Sequence, residues 1–189
     1  MRYAPMSDIR PEPNPEELSE PEELEEITSS MEDDRLHAAA YFRKAYEHQM
    51  RGDLAAAERY YRQSIDLWPT AEAYTFLGWT YSFMGRLHDA IAYCKEAIRT
   101  DPEFGNPYND IGAYLIELKQ YDAAVPYLQQ AITAPRYDAP HYPHFNLGRA
   151  LEALGEWTDA AREYRTALEL NPDYKIAKRY LGQLQAKLN

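Results

Sequence analysis

Few side chains in this 189-residue chain are spaced for chemistry, and each of them has a plainer use. His141 and His144 stand three apart and would share one helix face, a spacing that suits two ligands of a zinc ion. A zinc site needs further donors, and no cysteine lies near them in sequence, so surface or capping histidines are the alternative. His88 reads as an exposed residue at the start of a helix. Glu117 and Glu152 have the residue type for paired acid–base work. Nothing in the chain supplies a nucleophile, an oxyanion hole or a phosphate-binding loop, and the glycines occur singly at helix ends. Charged helix faces account for these glutamates better. Cys94 is the only cysteine, so no intrachain disulfide can form, which fits a reducing compartment. It falls on an apolar helical stripe, where cysteine packs as a small hydrophobe. No catalytic residue, no cofactor and no metal is expected, and an enzyme is the less favoured class.

The elements that position these residues are read from Ala71–Pro102. Tyr74, Leu77, Trp79 and Tyr81 recur at helical spacing, then Leu87, Ala90, Ile91, Cys94, Ala97 and Ile98 do so again. Gly85 between them suits the left-handed residue that ends a helix, and Pro102 cannot continue the second one. The unit recurs. Gly78 answers to Ala45, Gly112, Gly148 and Gly182, at steps of 33, 34, 36 and 34 residues. Ala90 answers to Ala57, Ala124 and Ala160, and Ala97 to Ser64, Ala131 and Ala167. Gly78 and Ala90 are small residues on facing stripes, so the two helices of a pair can approach closely.

Period and anchors resemble the tetratricopeptide repeat (TPR), a helix–turn–helix unit of about 34 residues. The resemblance rests on Tyr74, Leu77, Gly78, Tyr81, Ala90, Ala97 and Pro102 and on their counterparts in the other copies. It implies an all-α solenoid of antiparallel helix pairs wound into a right-handed superhelix. The expected repeats are 38–70, 71–104, 105–138 and 141–174, followed by a capping helix over 175–188. The first copy is the most divergent, with Lys44 in place of Leu77 and His48 in place of Tyr81. Terminal repeats pack on one side only and are often atypical. Asp53 is expected to cap the second helix, and Asn106-Pro107 to open the fifth. Pro126 should bend its helix unless it falls in the first turn. Pro135–Pro143 carries a two-residue excess over the period and reads as an extended, semi-rigid loop.

Charge is unevenly placed. Of a net −11, Met1–Leu36 holds 12 acidic residues against 3 arginines, while the rest holds 19 acidic and 17 basic residues. Residues 1–29, rich in proline and glutamate, read as a disordered acidic tail. The first helix is expected to begin near Met31, capped by Ser29 or Ser30. The chain lacks the basic footprint of nucleic-acid binders, and an anionic membrane surface would repel the tail. It shows no signal-peptide core and no apolar run of membrane-spanning length. No nucleic-acid partner and no membrane association are expected, and the expected compartment is the cytoplasm.

The resemblance also implies which side chains face the concave groove of the array. The candidates are Phe42, Tyr46, Phe76, Trp79, Phe83, Asn109, Tyr142, Phe145, Asn146 and Arg149. Glu72, Thr75, Asn106, Asp110 and Ala113 occupy further groove positions. Exposed aromatics at helical spacing would form a contact patch; the alternative is that Phe42, Phe76 and Phe83 pack between repeats. Trp79 is the one most reachable from the groove. Asn109 and Asn146 could hydrogen-bond an extended peptide, or make local contacts instead. Chaperone-binding members of the family grip a carboxylate with Lys, Asn and Arg. Those positions here hold Phe42 and Tyr46, Thr75 and Trp79, Asn109 and Ala113, so the carboxylate clamp is not carried over. The function implied is a protein-interaction scaffold or adaptor that holds a peptide or helix of a protein partner. Its alternative is an assembly or chaperone-like factor for a multiprotein apparatus, and weak self-association is a further expectation.

Overall fold

Helix-forming stretches broken by single left-handed residues dictate the architecture of the computed structural model, which describes the backbone of residues 21–188. The helices are α1 Pro21–Met50, α2 Leu54–Leu67, α3 Ala71–Phe83, α4 Leu87–Thr100, α5 Asn106–Glu117, α6 Tyr121–Thr133, α7 His141–Leu154, α8 Trp157–Leu170 and α9 Lys175–Leu188. Three of the four tight turns inside pairs carry a glycine at positive φ: Gly52 (80°), Gly85 (74°) and Gly155 (84°). The third pair places Lys119 there, at φ 60°. Side-chain caps start α2 and α3. Asp53 accepts from the Ala56 amide at 3.2 Å, as its sequence position implied, and Thr70 accepts from the Ala73 amide at 3.1 Å.

Helix α1 pairs with α2, α3 with α4, α5 with α6 and α7 with α8; each pair then stacks on the next through α2 on α3, α4 on α5, α6 on α7 and α8 on α9. The first helices also touch one another, α1 to α3, α3 to α5 and α5 to α7. No comparable packing joins α2 to α4, α4 to α6 or α6 to α8. The array therefore curves toward the first helices, which form its concave layer. Small residues permit the close pairing. A Cβ on Gly112 would lie 2.5 Å from Leu128, and one on Gly148 would lie 2.6 Å from the Tyr164 ring. Gly182 has no such neighbour within 4 Å, so its place in the register carries no crossing. The core runs through Tyr61, Leu77, Tyr81, Ile111, Leu128, Tyr164 and Leu184, all nearly inaccessible to solvent. Helix α9 closes the far end with Ala177 and Leu184 buried on α8 and with Lys175, Lys178, Arg179, Gln183, Gln185 and Lys187 exposed.

Two local expectations, the starts of α1 and of α5, are corrected. Helix α1 begins at Pro21, ten residues before Met31, so Ser29 and Ser30 are interior helical residues and residues 21–29 are not a disordered tail. Proline is well suited to a first helical position. The remaining part of that expectation, residues 1–20, lies outside the described residues. Helix α5 starts at Asn106 with Gly105 in the cap position and Pro107 as its second residue. Helix α6 continues past Pro126, its sixth residue.

Candidate functional site

The concave layer carries a connected aromatic strip. Phe42 on α1 lies edge-on to Phe76 on α3, with ring centroids 5.2 Å apart, and Tyr46 meets the same ring at 5.8 Å. Phe76 meets Trp79 edge-on at 5.6 Å, and Trp79 stacks on Phe83 at 5.7 Å. Helical spacing puts these side chains on one face of each first helix, and the close approach of α1 to α3 brings the two faces together. Burial grades along the strip. Phe42 and Phe76 are partly buried, with Phe42 also against Tyr61, whereas Trp79 is 42% and Phe83 58% exposed. Tyr46 and Tyr142 are likewise exposed.

Beside the strip lies a cavity of about 360 Å³ between α3, α5, α7 and the loop before α7. Phe76, Trp79, Tyr137 and Tyr142 form its aromatic walls. Thr75, Asn106, Asn109 and Asp110 complete it. Thr75 turns its hydroxyl back to the Ala71 carbonyl at 2.7 Å. Asp110 is partly buried and receives one long hydrogen bond, 3.4 Å from the Asn109 amide. Burial pushes its carboxyl up to about 7, against the opposing pull of that amide. Burial likewise raises the phenols of Tyr137 and Tyr114, and the charge of Asp110 adds to both shifts.

Tyr137 reaches the cavity because the loop after α6 folds back on the turn between α4 and α5. The Gly105 amide donates to the Arg136 carbonyl at 2.9 Å, and the Arg136 amide donates to the Glu103 carbonyl at 3.1 Å. The Arg136 guanidinium binds Glu72 at 2.7 Å and also pairs with Asp101. A Cβ on residue 105 would lie 2.8 Å from the Tyr137 Cβ and 2.9 Å from the Ala134 Cβ, so this approach requires glycine. The two-residue excess marked the loop in sequence, but nothing there announced that Tyr137 would enter the groove.

Other expected groove residues have different surroundings. Phe145 is 6% exposed and packs against Tyr164, Tyr174 and Tyr180, so its expected place in the groove is corrected. The last pair is followed by α9, whose Tyr180 draws this ring into the core. Asn109 and Asn146 are buried, and the Asn146 amide donates to the Asn109 side-chain oxygen at 2.9 Å. Arg149 donates to Asn146 at 3.1 Å and lies over the Phe145 ring. These residues join α5 to α7 in a polar chain that runs from Arg149 through Asn146 and Asn109 to Asp110. His141 and His144 take separate partners, Asn171 at 3.2 Å and Glu163 at 2.7 Å. Burial lowers the pKa of His141. Glu152 accepts from Tyr164 and from Lys187. Cys94 is a fully buried free thiol, pushed well above its ordinary pKa by burial and by nearby Asp110. Among the described residues no helix is long and apolar enough to cross a membrane.

Helix pairs of this period, with close crossings at small residues and a curved inner layer, define a repeat solenoid. Family models of the tetratricopeptide repeat match residues 38–70, 71–104, 106–138 and 141–174. The chain belongs to the tetratricopeptide repeat family: four repeats and a C-terminal capping helix in an all-α, right-handed superhelix. Tetratricopeptide repeat protein 8 of Caenorhabditis elegans is 25% identical over 114 residues, which is 60% of this chain and 22% of that protein. The chain thus spans less than a quarter of that relative. Among solved structures, Pseudomonas aeruginosa PilF superposes with a TM-score of 0.76 at 21% identity, over 83% of this chain and 70% of that one. YrrB, a TPR protein with an unusual peptide-binding site, superposes with a TM-score of 0.64 at 24% identity, over 85% and 82%. Both likenesses are of fold.

Proposed function

We propose that the protein is a non-enzymatic interaction module whose concave surface holds a peptide or helix of a protein partner. The observation that carries this reading is the half-exposed strip of Tyr46, Trp79 and Phe83, backed by Phe42 and Phe76. Large apolar side chains left in water beside a cavity mark contact surfaces in soluble proteins. A peptide-binding site in YrrB, a protein of the same fold, points the same way. Trp79 and Phe83 are the anchors, Tyr46 and Tyr142 flank them, and Phe42 and Phe76 fix their positions. Asn109, Asn146 and Arg149 hold the groove in shape. The cytoplasm is the proposed compartment, where a lone buried thiol such as Cys94 stays reduced.

The test is affinity capture from the native host with the wild-type chain and a Trp79→Ala variant side by side. Trp79 is half in water, so the variant should keep its helical circular dichroism and melt within a few degrees of wild type. Loss of the wild-type partner by a folded variant is the expected result. An identical set of partners on both chains would reject the groove as the binding surface.

A further inference from the structure

We infer that the cavity between α3, α5 and α7 is a seat for one positively charged side chain, a lysine or arginine carried by the partner polypeptide. The inference rests on the groove reading above and adds the chemistry of its occupant. Three observations converge. The walls are Phe76, Trp79, Tyr137 and Tyr142, brought in from three separate segments, and aromatic faces attract cations. Asp110 supplies a carboxylate at the same cavity, with no ion pair among the described residues and only the long bond from Asn109. No cation lines the cavity. The arginines Arg136 of the loop and Arg149 of α7 are engaged elsewhere, Arg136 by Glu72 and Asp101, Arg149 by Asn146. The fold therefore gathers aromatic side chains around a carboxyl and leaves the positive partner of its ionised form to come from outside.

Charge selects this occupant over others. An anion would meet the Asp110 carboxylate. A neutral apolar group would shut Asp110 away from water without a partner, which is costly. A cavity of about 360 Å³ suits one long side chain rather than a folded segment. The polypeptide bearing it would run over the exposed strip from Tyr46 to Phe83. The groups that face Asp110 are Asn109 and Tyr114 on its own helix, Cys94 on α4, and Tyr137 on the loop. All are neutral near pH 7, so the carboxyl is the titrating partner of an incoming cation.

The experiment titrates the full chain with blocked tripeptides, acetyl-Gly-X-Gly-amide, in which X is arginine, lysine, citrulline or glutamate. Binding is followed by NMR at the Trp79 indole Nε1–H and the Tyr142 ring. Arginine and lysine peptides should give saturable shifts, with the citrulline peptide weaker by about tenfold, as expected for loss of a cation from an aromatic site with a carboxylate. Asp110→Asn should weaken the arginine peptide by a similar factor while leaving the Phe42 and Tyr46 resonances in place, and Asp110→Glu should restore part of it. Wild-type affinity should rise from pH 6 to pH 8, and that of Asp110→Asn should stay flat. Equal binding of arginine and citrulline, preference for glutamate, or no saturable shift would overturn the inference. Partner capture separates it from the groove reading. A partner lost by Trp79→Ala but retained by Asp110→Asn leaves the groove standing and removes the cation seat. A partner retained by Trp79→Ala removes the groove, whatever the tripeptides do.

Discussion

Asp110 should make the fold sensitive to pH. Its carboxyl titrates near 7 in the folded chain against an ordinary 3.8, so the native state favours the neutral form. The stability this supplies is complete below about pH 3.8 and is lost as pH rises through about 7, because the unfolded chain ionises first. Between those values the urea midpoint of the wild type should fall with rising pH more steeply than that of Asp110→Asn. Parallel pH profiles for the two proteins would show that Asp110 is paired in solution. Lys119 makes the opposite case of a residue whose backbone is strained. It stands at φ 60°, where its three counterparts are glycines. A side chain in the left-handed region costs about 1 kcal/mol, so Lys119→Gly should raise unfolding free energy by up to that amount. An unchanged or lower urea midpoint would mean that the lysine side chain makes good the backbone cost.

At the scale of the element, the glycine register separates two roles that look alike in sequence. Gly148 lies where a Cβ would strike the buried Tyr164 ring, and that ring is held by its bond to Glu152. Gly148→Ala should therefore destabilise the array by about 1–3 kcal/mol, the usual cost of overpacking. Gly182 meets nothing, so Gly182→Ala should stabilise α9 by about 0.5–1 kcal/mol through reduced backbone freedom in the unfolded chain. Urea unfolding of the two variants in parallel checks the pair, and effects of the same sign would refute the distinction. This contrast also shows what could be read beforehand. The pairing of helices was legible because a close crossing forces a small residue at a fixed period, as at Gly78, Gly112 and Gly148. The start of α1 was not, because proline and glutamate indicate a solvated tail and a helix N-terminus equally well. Phe145 was misplaced because the register gives its helix face but not what α9 lays against it. Tyr137 was invisible because it depends on a pairing between Gly105 and Arg136 that has no periodic signature.

For the whole molecule, the end of the array is the vulnerable place. Removing Lys175–Asn189 would uncover Tyr164, Phe145 and the apolar face of α8. The shortened chain should melt at lower temperature and aggregate, as terminal repeats without a polar cap do. A truncated chain that remained monomeric with an unchanged melting temperature would reject a capping role for α9. A plain solenoid also behaves like a stack of coins, in which each unit feels only the next. Here the Arg136 loop reinforces one such joint, between the second and third repeats. It is stitched by backbone bonds to the turn after α4 and by its guanidinium to Glu72 at the start of α3, 64 residues away in sequence. The exposed ion pair is worth little by itself, and the two backbone bonds and the Gly105 approach do most of the joining. Under tension the second and third repeats should therefore yield together, as a single rip. The molecule would act as a rod whose stiffest section is its middle, where the Arg136 loop fastens the third repeat to the second.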